Sequence, residues 1–559
     1  MVPGMLRRRL LSGCCLLTFG VGAPLAAPAT TPATTAPLVV AGEALPLAAI
    51  VEVASAERRV EIAPAARARV AASFEAVLDA ARAGQAVYGL TTGVGWNKDK
   101  QALGPHGALD PELLAASRRF NIGTLRAHGA GVGAPLPDAV VRAAMLIRLN
   151  LLLTGSAGVQ PAVVDQYAAF LNHGLTPMVP GRGSIGEADI LLSSHIGLAI
   201  AGEWQVRRQG AVLPTATALA AAGLQPVALV GKDFVALVGD NSLTIGAAVL
   251  ACGDARLWLE REITVFALSL EGLDGNVAPF LEATVAARPR AGFVAVAARL
   301  RADLAGSDLW KVSAKRPLQD PLSFRTLPIV LGNAWEALAA AETELAFDVS
   351  HSADNPRVVL DPPPAAEGTQ AARYRVPGGR AAAIVPTGNF EALPLVASLE
   401  RLQLALAHVA QSIGATIMRF ENPAITGLPR FLTAPGNPGH GFGAVQKAVA
   451  ALTVEINSLA MPVSLDNATL AGNIEDITNN GPLTVARLRA LVDDLFPLGS
   501  LQLLHAAQAV DLRPDYHLGD HTRALQAAYR ARVPFVAEDR ILTADIAAGA
   551  EFLRRPSDE

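Results

Sequence analysis

Apolar residues recur at helical spacing along most of this chain, and the runs lengthen towards the C-terminal half. Ala139 to Leu153 predicts a helix with Arg142 and Arg148 off its main apolar stripe, and Ile190 to Ile200 predicts a short apolar one. From Phe234 the pattern changes to long amphipathic segments: Leu243 to Leu270, Ala334 to Phe347, Leu393 to Ile417, Phe442 to Ser458 and Val485 to Val510. Runs of that length with few breakers predict a bundle. Before them, short helical stretches alternate with three glycine-rich loops, Tyr88 to Gly95, His128 to Gly133 and Val179 to Gly186. The expected fold is all-α. A long central helix bundle (232–515) follows a smaller glycine-loop-rich N-terminal domain (39–231), and further short helices (516–559) close the chain.

Composition supports helices: aromatic residues make up only 5%, and 51% hydrophobic against 17% charged residues excludes a disordered chain. A formal charge of -4, with no basic stripe interleaved with aromatics, argues against a nucleic-acid partner. The stretch from Gln209 to Gly231 carries no charge, but Pro214, Gly223 and Pro226 interrupt it, so a membrane-spanning helix is not expected there. At the N-terminus, Arg7-Arg8-Arg9 precede an apolar run from Leu10 to Gly22 and the small residues Ala26, Ala27 and Ala29. That order reads as an export signal over 1–29, by the general or the twin-arginine route, with a flexible spacer over 30–38. A soluble, exported, periplasmic protein is expected, without a membrane partner once the signal is removed. Cys14 and Cys15 leave with that signal, so Cys252 stands alone and no intrachain disulfide is expected. His351, His440, His505 and His517 are scattered without ligand spacing, so no metal is expected.

The most informative segment is Gly183-Ser184-Ile185-Gly186-Glu187-Ala188-Asp189, between a Pro/Gly-rich loop and an apolar helical run. It resembles the cofactor-forming turn of the aromatic amino acid ammonia-lyases, the histidine, phenylalanine and tyrosine lyases. That family reads Gly-Ser-Val-Gly-Ala-Ser-Gly-Asp-Leu here, and its Ala-Ser-Gly cyclises into the electrophile methylidene-imidazolone (MIO). This chain is one residue shorter, with Glu187-Ala188 before Asp189 and no serine to dehydrate. Other blocks resemble the family in the same order. They are Tyr88-Gly89-Leu90-Thr91-Thr92-Gly93-Val94-Gly95, the helix from Arg142 to Gly155, Gln319 to Arg325, Asp354-Asn355-Pro356, Gly388-Asn389-Phe390, Glu455, and Asn473-Ile474-Glu475-Asp476.

The resemblance implies site residues. Tyr88 matches a tyrosine that takes the proton from the carbon beta to the amine, which requires its pKa to be pulled below about 10 by nearby cations or helix N-termini. Its alternative is a ring packed under the loop. Arg325 is expected to clamp a substrate carboxylate with its planar fork, or else to pair internally with Asp320. Asn389 and Phe390 are expected to line the pocket, Phe390 with a face for a cation. Departures fall on the parts that serve the electrophile. Gly239 stands where the family has a supporting asparagine, whose space Asn241 is a candidate to fill; Leu322 replaces a tyrosine and Glu391 a histidine or glutamine.

No cofactor is therefore expected, since MIO is not formable from Glu187-Ala188-Asp189. A free amine is a poor leaving group, whereas a quaternary ammonium departs unaided. Some electrophile-less relatives release trimethylamine from a histidine-derived betaine, and this chain resembles that pattern. Glu187, Asp189, Glu391 and Glu455 are candidates to surround such a cation, or one of them to act as general acid. Asp189 as a helix N-cap and Glu187 as a first-turn anion are the bland alternatives. Three functions compete: a carbon–nitrogen lyase without MIO acting on an amino-acid or betaine substrate, a conventional ammonia-lyase, and a small-zwitterion binding protein. The resemblance also implies a homotetramer whose sites draw Tyr88, Arg325 and Glu455 from different chains.

Overall fold

Nine helices carry the site. They are α1 (Pro111–His128), α2 (Asp138–Leu153), α3 (Ile190–Ile200), α4 (Asp233–Val238), α5 (Ser242–Leu273), α6 (Leu327–Asp348), α7 (Leu393–Phe420), α8 (Gln446–Leu459) and α9 (Gly481–Asp511). The structure is a computed structural model and describes residues 36–102 and 111–555. The expected export signal lies outside the described residues, as does most of the 30–38 spacer.

The fold is helical, with a few short strands. The most extensive helix interface joins α5 to α9. Next, α7 packs on α6 and α9, α8 on α7 and α9, and α2 on α5. Burial explains why the Asp233–Leu273 stretch is so apolar. Its mean hydropathy reaches 1.6, yet 83% of that window is buried inside the protein, which makes it a core helix. The chargeless stretch after Gln209 folds as a strand, Ala211–Pro214, and a short helix, Thr215–Ala221. Cys252 is buried on α5, and burial pushes its thiol up to about 12, so it serves packing.

Two of the three glycine-rich loops are joined. Val132–Pro135 pairs antiparallel with Pro180–Arg182, so the second and third loops form one ribbon. Gly131 sits against the Pro180 ring, where a Cβ would come within 3.0 Å. Local composition marked both segments as loops; their pairing is a long-range contact.

The structure also corrects the placement of Arg142 and Arg148. Both are buried, because α2 is covered on its supposed polar side as well. Arg142 donates to the carbonyls of Val53 and Leu171 at the ends of two neighbouring helices. Arg148 pairs with Asp240 (3.0 Å) and Asp354 (2.8 Å), all three side chains at most 2% exposed. It also donates to the Ala236 carbonyl on α4. Lys232 is buried beside this group. Its ammonium donates to the Ala157 carbonyl, and burial pushes it down to about 8.

Removing Arg148 leaves two buried carboxylates without their cation. Arg148→Ala is expected to lower the unfolding free energy by about 3–5 kcal/mol, read as a fall in the denaturant midpoint.

Candidate functional site

The Tyr88 loop, the Glu187 turn and the loop around Glu475 meet at a cavity of about 690 Å³. Its aromatic walls are Trp96, Phe120, Phe234 and Phe390, and its polar lining includes Tyr88, Lys98, His128, Glu187, Asn355 and Glu475. Tyr88 is half-buried, and its hydroxyl oxygen accepts the Gly95 N–H at 2.8 Å. Burial pushes the phenol above its ordinary value; the Gly95 bond pulls it back and the Glu475 carboxylate adds to the rise. The expectation of a phenol lowered by nearby cations is therefore overturned within one chain. The nearest lysine on the loop, Lys98, is engaged with Asp99. His128 donates from Nδ1 to the Thr124 carbonyl at 2.8 Å, because a carbonyl only accepts, and its ring meets Phe234.

Glu187 reaches the cavity because its turn is unusual. Gly186 has φ +99°, and a Cβ there would fall 1.8 Å from the Asn479 carbonyl oxygen; Ala188 is left-handed at φ 63°. The Asn479 amide donates to the Gly186 carbonyl (3.1 Å), to Glu187 (3.1 Å) and to Glu391 (2.9 Å). The two carboxyl groups are thereby gathered on one amide nitrogen. Burial first, and then Glu391, push Glu187 up to about 7. Glu187 is thus part of a carboxyl pair rather than an isolated first-turn anion.

Asp189 departs from its expected role. It is fully buried and does not line the cavity; nor does its side chain cap α3. Its carboxylate instead accepts from the N–H and hydroxyl of Thr244 (2.9 and 3.0 Å), capping the first turn of α5 from a different segment. Burial pushes it up to about 6, against the bonds from Thr244.

Asn241 and Asn389 line a second cavity of about 440 Å³, together with Glu391, Asp348, His351 and Arg357. Phe390 borders both cavities, and the Asn241 amide holds its carbonyl at 2.6 Å. Asn241 therefore supports Phe390 instead of filling the space beside Gly239, which itself lines the Tyr88 cavity. Arg325 and Glu455 lie outside both cavities of a single chain. Arg325 bonds to Gln319 rather than Asp320, and its Nε is buried without a partner. Glu455 is exposed on α8.

Sequence reasoning passed over Glu475, Asn479, Trp96 and His128 as site residues. Glu475 sat in a block already noticed for its resemblance, which was the available signal. Trp96, 76% exposed, rests its ring on Gly472, where a Cβ would lie 2.4 Å away; no local pattern announces that contact.

The fold family implies MIO, which would have to form from the turn over 183–189. Ser184 is its one serine. Its hydroxyl accepts the Gly186 N–H (3.2 Å) and donates to the Ala188 carbonyl (3.3 Å), and its chain neighbours are Gly183 and Ile185. These residues do not fit a group built by cyclising Ala-Ser-Gly.

Known proteins share this architecture. The aromatic amino acid lyase family profile matches residues 45–531. A histidine ammonia-lyase from Koribacter versatilis is 33% identical over 516 residues, covering 92% of this chain and 97% of the relative. One from Sorangium cellulosum is 34% identical over 519 residues, covering 92% and 96%. The crystal structure of the ergothioneine-degrading enzyme ergothionase from Treponema denticola superposes with a TM-score of 0.85 at 33% identity, covering 93% of this chain and 99% of that one. With the profile spanning most of the fold and these relatives matching nearly end to end, the chain belongs to the aromatic amino acid lyase family, a family of carbon–nitrogen lyases.

Proposed function

We propose that this lyase works without MIO and eliminates a quaternary amine from an imidazole-bearing betaine. The observation that carries this reading is Glu187, a carboxyl paired with Glu391 on the cavity wall where relatives build an electrophile. An electrophile of that kind acts by accepting the lone pair of a free amine. A quaternary nitrogen has no lone pair to give, so its elimination needs no such group. The similarity to an ergothioneine-degrading enzyme supports the substrate class, since ergothioneine is a trimethylammonium betaine of a thiolated histidine.

The Tyr88 oxygen removes a proton from the carbon beta to nitrogen. The freed electron pair becomes the carbon–carbon double bond, the C–N bond breaks, and trimethylamine leaves with that bonding pair. The products are an unsaturated acid, the amine and a protonated Tyr88. A buried phenol beside Glu475 is a reluctant base. A permanent cation in the same cavity favours the phenolate, so the substrate itself supplies the charge that the single chain lacks. Aromatic faces of Trp96 and Phe390 suit a weakly hydrated trialkylammonium.

Arg325 and Glu455 complete this reading only in an assembly. We propose a homotetramer in which neighbouring subunits bring them to the Tyr88 cavity. The basic and apolar order of Arg7 to Gly22 supports export to the periplasm.

Purified protein is expected to release trimethylamine from histidine trimethylbetaine or its 2-thio analogue, and to be insensitive to borohydride. Tyr88→Phe is expected to slow release by about 100- to 10,000-fold. Ammonia release from free histidine, with borohydride inactivation, would restore the conventional reading, for which the histidine ammonia-lyase relatives speak. Ligand-induced stabilisation with no turnover of either betaine would favour a binding role. For the assembly, light scattering is expected to give four chains. Co-refolded Tyr88→Phe and Arg325→Ala subunits are expected to regain activity that neither has alone; no recovery would place both residues in one chain's site.

A further inference from the structure

We infer that Asn479 is a positioning residue that holds Glu187 and Glu391 as a one-proton pair, and that a quaternary ammonium ligand expels this proton on binding. For the ligand class the inference rests on the proposed function; for the pair it rests on geometry.

Asn479 is 2% exposed and fixed at both ends of its amide. Its oxygen accepts the Gly481 N–H at 2.9 Å, at the start of α9, and the neighbouring Asn480 N–H donates to Ile185 at 2.9 Å. The turn bearing Glu187 is thereby docked on the N-terminus of α9. One amide nitrogen serves Gly186, Glu187 and Glu391, so two carboxyl groups from distant segments share a single donor. Two carboxyl groups gathered on one donor repel each other when both are ionised, which favours the state in which one keeps its proton.

The surroundings favour that proton. Glu475, on the 470–476 loop, adds negative charge from the same cavity and reinforces the rise of Glu187. The other groups facing the pair are already engaged or lie on the far side. Tyr88 accepts from Gly95, Lys98 pairs with Asp99, and His128 donates to Thr124. Asp348, His351 and Arg357 share the second cavity with Glu391. Asp189 turns away to Thr244.

A trialkylammonium cannot donate a hydrogen bond, so it gains from the pair only through charge. It interacts more strongly with two ionised carboxylates than with a pair that holds a proton. Ligand and proton therefore compete for the same carboxyls. The sign follows from Glu187, pushed up to about 7. Below that pH the cation must displace a proton, and affinity rises about tenfold per pH unit. Above it the pair is fully ionised and affinity levels off.

The test uses phenyltrimethylammonium, which has no β-hydrogen to eliminate, in titration calorimetry with buffers of different ionisation enthalpy. Close to one proton released per site is expected at pH 6, falling towards zero at pH 8.5. Tyr88→Phe, which keeps the pair and removes the phenol, is expected to release the same proton at pH 6. Glu391→Gln, at an exposed and nearly isosteric position, is expected to abolish proton release at pH 6 while retaining binding. Asn479→Ala removes a bond that pulls Glu187 back towards its ordinary value, so it is expected to weaken binding and to move proton release to higher pH, whereas a merely structural role would change affinity alone. Binding at pH 6 without proton release, unchanged release in Glu391→Gln, or no binding at pH 8.5 would each overturn the inference. Proton release without turnover of any betaine would spare it and sink the lyase reading; turnover without proton release would do the reverse.

Discussion

Arg148 is the constraint on which the site's geometry depends. A guanidinium taken fully out of water is tolerated only when its charge is matched and its donors are occupied. Here the match comes from Asp240 and Asp354, two acids from segments more than a hundred residues apart, with the Ala236 carbonyl as a further acceptor. Each of those segments borders a cavity. Asp240 adjoins Gly239 and Asn241, and Asp354 adjoins Asn355. The chain of bonds continues outwards. The Asp240 carbonyl accepts the Asp189 N–H at 2.8 Å, and the Asp189 carboxylate caps α5. The turn bearing Glu187 is suspended from the same node, so burial energetics in the core fix where a cavity carboxyl stands.

The electrostatics of the cavity follow from what that node leaves exposed. The cations of the core are spent on structure: Arg148 on two aspartates, Lys232 on a carbonyl, Arg142 on helix ends. The cavity receives acids and aromatic faces in their place. A phenol raised by burial and a carboxyl pair share one requirement, a positive charge delivered from outside. On the proposed function, that asymmetry is what suits the site to a charged leaving group.

Much of this was legible from the residues. The long helices follow their apolar periodicity; the structure extends most of them, as in Ser242–Leu273 for the run predicted from Leu243 to Leu270, but the run predicted from Phe442 becomes helical only at Gln446. The Tyr88 loop and the altered turn with Glu187 stood out by composition and by resemblance, and both line the cavity. What stayed hidden is long-range. Arg142 and Arg148 look solvated on a helical wheel because a wheel does not show what packs on the far side. Asp189 precedes an apolar helix as an N-cap does, yet it caps another helix across the fold. Asn479 and Glu475 gain meaning only once the start of α9 closes on the turn near residue 186. Asn389 and Asn241 adjoin Phe390 in sequence or in space but line the second cavity rather than the Tyr88 one.

The position of that ring has a consequence for how the family diversifies. Phe390 is the partition between two hollows, tethered through its carbonyl rather than through its side chain. The backbone can therefore keep its path while the side chain changes. A smaller side chain there would leave less between the two hollows and more room for a longer molecule. Substrate length on this scaffold would thus be tied to the same side chain that offers a cation its aromatic face.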